Sequence, residues 1–519
     1  MRTPEATTAG ARRHRIAAMA LATITVLTLA ACADMSGIAP ANRLDTTAPT
    51  LPAYVAGSDS QGAELVIPSD WWHAWGDEQL DRLIDRALQG SPSLQQAQAR
   101  FARQRAFSEA AGVSLKPQVN AQLDVLHQRY SEHGLVPPQL AGEQVNTATA
   151  QLNFGWEIDF FGKNRAALDA ALGAQRASEA DALAARVLLA SQIARGYLQF
   201  ARLNDQLDVA RRTLAQRGET LALVRSRVGA GLDSNLELRQ SETILPEARQ
   251  AIEALEGQRQ IARHGLAALA GDLALADTIQ PVSLAALPTV AAPQTVPLQL
   301  VAQRADIAAA RWRIEAATQD VKSAKAQFYP NINLAAFAGL SSIGLGQLVQ
   351  AGSLQWGVGP ALRLPIFDAG RLRANLRGKT ADLDAAVASY NGAVIDAVRD
   401  VADQLSTLGS VARQQLQQQA AQVAAESAYD IARARYQAGL STLINVLTTE
   451  TAVLNQRRLA VDLHAQALDS RVALLRALGG GLPAELPDAR KNIAENDDAI
   501  SAHALFRADR SVVPLSEVH

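Results

Sequence analysis

The 519-residue chain carries 49 Lys plus Arg against 51 Asp plus Glu, a formal net charge of −2 with no large basic block in either half. That balance argues against nucleic acid as a partner. Aromatic residues make up only 4% and alanine leads the apolar set, which suits closely packed helices better than a β-rich globule.

Arg2, Arg12, Arg13 and Arg15 precede an apolar run, Ile16 to Leu29, that is too short to span a bilayer stably. The run ends in Leu29-Ala30-Ala31-Cys32, which looks like a bacterial lipobox, and the sole cysteine of the chain falls at the expected cut. Residues 1–31 are therefore expected to be a signal peptide, and Cys32 the lipidated N-terminus of the mature protein. Ala33, rather than aspartate, follows the cysteine, which favours the outer membrane over inner-membrane retention. Several acyl chains hold stably where one binds weakly. From 32 to 68 the sequence is Pro/Ser/Thr/Gly-rich and aperiodic, a tether.

Trp71-Trp72-His73-Ala74-Trp75 opens the folded part, and its tryptophans are expected to pack rather than to bind. A short amphipathic helix follows around Gln79–Gln89, with Leu80, Leu83, Ile84 and Leu88 on one face. Gly90-Ser91-Pro92 ends it and starts a second helix to about Ser114. The period then changes from 3.6 to 2. In Ala148–Phe161 the even positions are apolar (Leu152, Phe154, Trp156, Ile158), while Gln151, Asn153, Glu157 and Asp159 occupy the odd ones. Val119–Val125 alternates likewise, so two strands with one apolar and one polar face flank a loop at about 127–146. A second pair follows the same plan: Ile332 to Leu340, then Trp356 to Ile366, joined by a loop at 341–353.

Arg225-Ser226-Arg227-Val228-Gly229-Ala230-Gly231-Leu232 recurs as Arg433-Ala434-Arg435-Tyr436-Gln437-Ala438-Gly439-Leu440, 208 positions later, with five of eight residues identical. Ser241-Glu242 returns as Thr449-Glu450 at the same offset. The chain is thus one unit written twice. After each hairpin comes a very long helix: Lys163 to Gly229 contains no proline and would span roughly 100 Å. Leu183, Val187, Ala190, Ala194, Tyr197 and Ala201 have coiled-coil seam spacing, and Ile395, Val398, Ala402 and Leu405 share that register. Each long helix turns at Ala-Gly-Leu, and a second returns, about Asn235–Ala270 and Thr442–Leu478. Pro246 is expected to kink the first return helix or end it locally. The divisions that follow are a first repeat over 69–285 (strand pair about 117–161, helices 163–270), a second over 286–480 (strand pair about 330–367, helices 370–478), and a C-terminal tail, 481–519.

Four strands cannot close a barrel, since small transmembrane barrels need about eight. An open edge in lipid is forbidden by its unsatisfied backbone groups. Several copies pooling their strands would resolve this, with the polar faces lining a wet lumen. At this point the chain closely resembles the outer-membrane factor family of TolC-like efflux channels, and within it the NodT-like lipoproteins. The resemblance covers about residues 65–480 and rests on the repeat, the order of strand pair and long helices, Trp71-Trp72, Phe161-Gly162, Pro365-Ile366-Phe367-Asp368-Ala369-Gly370, and Tyr436-Gln437-Ala438-Gly439-Leu440. It implies a mainly α protein with a β-barrel part: a homotrimer whose twelve strands form one barrel in outer-membrane lipid, continued by a coiled-coil helical tunnel through the periplasm. It also implies a periplasmic membrane-fusion adaptor and an inner-membrane pump of the RND type as partners, with drugs or other small toxic compounds conducted passively.

Carried over residue by residue, the resemblance places adaptor-contacting tips at Arg225, Arg227, Gly231, Leu232, Arg433, Arg435, Gly439 and Leu440. The same glycines and leucines are also what a helical turn requires. The best-known relative has an aspartate ring just after the second turn; the matching positions here are Asn445 and Thr448, so that ring is absent. Glu237 and Gln240 match after the first turn, and three copies of Glu237 could supply the negative potential instead.

Two other classes fit the sequence less well. Eight histidines show no HxxxH or HExxH spacing, and no phosphate loop, nucleophile signature, cofactor motif or metal-ligand pattern accompanies them, so an enzyme is not expected. A non-conducting periplasmic coiled-coil adaptor or structural lipoprotein would share the long helices, but would lack two lipid-compatible strand pairs.

Overall fold

The computed structural model describes residues 35–44, 67–287 and 304–481; the expected signal peptide (residues 1–31), Cys32 and the tail beyond 481 lie outside them. A 3-10 turn at Trp71–Trp75 leads into α1 (Glu78–Gly90) and α2 (Pro92–Val113). The first repeat continues with β1 (Gln118–Arg129), β2 (Gln144–Ile158), α3 (Lys163–Gly229) and α4 (Asn235–Leu269). The second has α5 (Ala305–Ala326), β3 (Asn331–Ile343), β4 (Leu354–Arg363), α6 (Arg371–Gln437) and α7 (Leu443–Ala477). Both ends of α6 and of α7 fall 208 positions after those of α3 and α4. The sequence repeat is therefore a structural one.

The strands form a single antiparallel sheet in the order β1-β2-β3-β4, so the hairpins of the two repeats are joined through β2 and β3. Register keeps the faces apart. Phe154 lies opposite Val119 and Ala336, and Val358 opposite Ala336, all on the apolar side. On the other face Asn153 donates to Gln122 at 3.0 Å, Gln151 donates to Asn153 at 3.0 Å, and Gln355 donates to Gln151 at 3.1 Å. Amides can both give and accept, so a side-chain chain of this kind satisfies itself while remaining wettable.

Below the sheet the helices keep a fixed lateral order. The upper part of α3 lies between α2 and α5: Ser108 bonds Gln175, and Arg313 pairs with Asp181 at 2.5 Å. Its lower part lies between α4 and α7, with Arg211 on Glu256 at 2.6 Å and Arg202 on Asp462 at 2.7 Å. The α6 helix follows α5 and then α7, through Lys379–Asp320 at 2.8 Å and Arg457–Glu426 at 3.0 Å. The main core sits where these layers meet: Trp71, Trp72 and Trp75 are buried with Leu80 and Ile84 of α1 against Ile193, Tyr197 and Phe200 of α3. The tryptophans pack, as expected. Fully burying a large apolar side chain contributes about 1.5–3 kcal/mol, and this cluster fastens the N-terminal turn to both repeats.

Several expectations change. Strands β1 and β2 extend to Arg129 and from Gln144, so the expected 127–146 loop is shorter; backbone pairing does not need the side-chain alternation that revealed it. Strand β4 stops at Arg363, before Pro365, which cannot donate to the ladder. Asp159 does not belong to the polar strand face: its carboxylate accepts from the backbone of Asn164 at 3.1 Å and Arg165 at 2.7 Å, at the start of α3. Ala190, Ala194, Tyr197 and Ala201 are buried along the α3 seam, whereas Ile395 on α6 is 61% exposed. Helix α6 is the last helix in the lateral order; Ala397, Val398 and Val401 form its buried stripe, and residues 36–43 lie along another flank, bonded to Arg373, Asp384 and Asn391. Pro246 does not end α4, which runs through it.

Close approach of α3 and α5 depends on Gly173, where an added Cβ would lie 3.0 Å from the backbone nitrogen of Ala316. Gly173→Val is expected to cost about 1–3 kcal/mol by overpacking, read as a lower thermal midpoint of the detergent-solubilised protein; an unchanged midpoint would show the crossing to be slack.

Candidate functional site

The end of the molecule farthest from the sheet is built by the two repeated turns. Gly231 (φ 72) and Gly439 (φ 73) adopt the left-handed conformation that ends α3 and α6. The Gly231 amide donates to Val228 at 3.0 Å and the Leu232 amide to Arg227 at 2.8 Å; Gly439 to Tyr436 and Leu440 to Arg435 repeat both distances. This pair of bonds is the Schellman arrangement, so both glycines are turn-makers. That arrangement usually buries the following apolar residue. Here Leu232 is 65% and Leu440 70% exposed, so the turn alone does not account for them.

The arginines of the repeat divide. Arg227 is 12% exposed, pairs with Asp233 at 2.9 Å, and lies over the Tyr436 ring at 4.7 Å. Tyr436 donates its hydroxyl hydrogen to the same carboxylate. Burial pushes the Asp233 carboxyl up, but hydrogen bonds from Arg227 and Tyr436 outweigh it and hold it below the usual aspartate value. Burial, and then the bond to Asp233, raise the Tyr436 phenol. Asp233 thus ties the first turn to α6. In the second repeat Ser441 stands at the equivalent place, and Arg435, with no acid to meet, is exposed and forms no ion pair among the described residues. It borders a shallow groove with Ile431, Leu440 and Asn445. Arg225 reaches Glu242 at 3.5 Å, and Arg433 reaches Glu219 at 3.0 Å.

Glu237 and Asn445 occupy the same place after their turns, and both serve the helix start. Glu237 accepts from the Ser234 backbone at 3.0 Å and from the Ser234 hydroxyl, completing a capping box; these bonds, the hydroxyl's first, lower its pKa. Asn445 donates to Ser441 at 3.0 Å, and Thr448 bonds its own helix at Ile444. Gln240 is half-buried. Above the turns, Glu450 is buried and pairs with Arg217 at 3.3 Å, while its repeat counterpart Glu242 is held by Arg225 and Arg239. Burial raises the Glu450 carboxyl against the opposing Arg217 charge. No group of metal-ligating side chains occurs among the described residues. Cys32 lies outside them.

Sequence reasoning missed Asp233 and Tyr436. The available signal was asymmetry: both stand where the two repeats differ.

A family model described as outer membrane efflux protein matches residues 83–272 and 296–480. The chain belongs to that family. It is 33% identical over 474 residues to the multidrug resistance outer membrane protein MdtQ of Escherichia coli O157:H7, covering 88% of this chain and 96% of that one. It is 32% identical over 461 residues to the pyoverdine export outer membrane protein OpmQ of Pseudomonas aeruginosa, covering 87% and 94%. Among solved structures, the outer membrane protein VceC of Vibrio cholerae superposes with a TM-score of 0.76 at 34% identity, over 80% of this chain and 99% of that one. The protein is an outer-membrane efflux channel component, its sheet belonging to the membrane and its helices to the periplasm.

The Asp233 tie has a defined pH dependence. A carboxyl with a lowered folded pKa stabilises above its ordinary value, here 3.8, and loses that contribution as pH falls through the folded value. Amide protection at Leu232 and Leu440, corrected for intrinsic exchange, is therefore expected to stay level between roughly pH 5 and 7. Asp233→Asn should lower it by about 1.5–3 kcal/mol, the range for hydrogen bonds to a charged group.

Proposed function

We propose that three copies of the chain close one twelve-stranded barrel, β4 of each pairing with β1 of the next, and continue it as a twelve-helix-wide tunnel to the tips. The observation that carries this is the four-stranded sheet with unpaired β1 and β4 edges and an apolar outer face. Such an edge is tolerated in lipid only when paired. The helix layers have the same open-ended order, so a neighbour that completes the sheet also covers α2 and α6. Lipidation at Cys32 would tether each N-terminus to the same membrane.

At the tips, exposed Leu232, Leu440 and Arg435 are the surface a periplasmic adaptor would take, with Arg225, Arg433 and the Gly231 and Gly439 turns around them. Arg227 serves from within, as part of the Asp233 tie. The adaptor would join the channel to an inner-membrane pump of the RND type. Drugs or other small toxic compounds would then leave without chemistry in the duct, in keeping with the name of MdtQ.

Purified full-length protein in detergent is expected to sediment as a trimer, and after reconstitution into planar bilayers to conduct ions. A monomer that passes no current would favour the non-conducting adaptor-type lipoprotein. Cysteine placed at Leu440 should crosslink to an adaptor, whereas cysteine at Leu135, fully exposed in the β1–β2 loop at the opposite end of the molecule, should not.

Glu237 has two candidate roles, and Glu237→Gln separates them, because the amide still accepts from Ser234 but carries no charge. A three-fold Glu237 ring at the aperture predicts a lower cation-to-anion permeability ratio and weaker block by divalent cations in the variant. Identical values in both proteins would leave Glu237 as a helix cap alone.

A further inference from the structure

Charge on the inner face of the sheet is sparse and concentrated at its helical end. Alternation places Asp124, Glu157 and Arg363 on that face; the other inward residues of the four strands are uncharged. Where the strands meet the helices, Glu157 and Arg363 join Lys163 and Arg371 around a cleft of about 490 Å³. Lys163 pairs with Glu157 at 2.5 Å, which cancels both charges. Asp159, also at the cleft, is engaged by the first amides of α3. Arg363 and Arg371 are left as exposed guanidiniums with no ion pair among the described residues.

Two further features point to a ligand. Asn164 borders this cleft and the adjoining one, is 8% exposed, and its side-chain nitrogen has no hydrogen-bond partner. Buried polar groups rarely remain so. Phe161 and Tyr329, which also line the cleft, stack with centroids 4.9 Å apart and planes within 15°, and each keeps about two-fifths of its surface exposed. A guanidinium fork matches a carboxylate in two-point geometry, and an aromatic stack offers a flat apolar face beside it.

We propose that this cleft is a transit site for small aromatic carboxylates passing from tunnel to barrel. Arg363 and Arg371 take the carboxylate, Asn164 donates to it, and the Phe161–Tyr329 pair receives the ring. Asp159, which also lines the cleft, offsets part of the guanidinium charge, so the ligand can leave as readily as it enters, which conduction requires. The assignment rests on the channel reading above and deepens it by naming a cargo class.

The test uses the full-length trimer in planar bilayers. Benzoate at one side is expected to block the KCl current at concentrations where acetate does not. In the Arg363→Gln/Arg371→Gln double variant the half-blocking benzoate concentration should rise about tenfold, which corresponds to about 1.4 kcal/mol. The reversal potential under a salt gradient should also move towards cation preference. Arg129→Gln, at the far end of the barrel, should change neither. Equal block by benzoate and acetate, an unaltered benzoate response in the double variant, or an equal effect of Arg129→Gln would each overturn the site while leaving the channel intact. A wild-type chain that forms no trimer and passes no current would instead reject the channel reading, and the site with it. A double variant that keeps the trimer band on unheated gels rules out misfolding as the cause of a change.

Discussion

The hydrogen-bonding capacity of two strand edges governs this molecule. β1 offers twelve residues and β4 ten along edges that no strand among the described residues pairs, and both lie in a sheet with an apolar outer face. In hydrocarbon each unmet backbone group costs several kcal/mol, far more than any side-chain contact described above. The helical part obeys the same lateral order, with α3 and α5 inside and α2 and α6 outside. An assembly that satisfies the sheet therefore continues down the tunnel without a change of symmetry. Membership of the outer membrane efflux protein family agrees with this physical demand.

Duplication explains much of the remaining architecture, and departures from duplication carry the specialised features. The long helices and their return helices match between the two halves in sequence number to the residue, and each turn between them is closed by a glycine at φ near 70° with the same two backbone bonds. Within that shared frame, single replacements redirect the same side chain. An arginine that meets Asp233 folds inward and joins the two turns; the equivalent arginine meets Ser441 and stays in solvent. A glutamate repeated at 242 and 450 is half exposed in one place and buried against Arg217 in the other. Breaking such a buried pair by removing one partner leaves an uncompensated charge, so the second half is more firmly committed to its neighbour than the first.

Polar groups at the junction of sheet and helices are used economically. Asp159 and Asp368 both turn back to bond helix-start amides, at the two places where a strand hands over to a long helix. This frees Arg363 and Arg371 from local acids and makes the cationic cleft possible.

Element order, helix ends and strand faces were legible in the sequence because they depend on local rules: period 2 against 3.6, glycine at positive φ, and a repeat that can be checked against itself. The packing of the Trp71–Trp75 cluster was foreseeable too, whereas the exposure of Leu232 and Leu440 is the opposite of what the turn alone favours. Which side of an edge helix is covered was not, as Ile395 shows, because coverage depends on the neighbours of α6 rather than on its own pattern. Nor were the tasks of individual charges, since Glu237, Asp159 and Asp233 are acids on similar-looking stretches that become a cap, a strand-to-helix clasp and an inter-repeat tie. The amino-acid order alone determined the architecture, through short-range propensity written twice; only the folded chain decided which charges meet, because partners such as Asp233 and Tyr436 lie 203 residues apart and their pairing depends on distance in space.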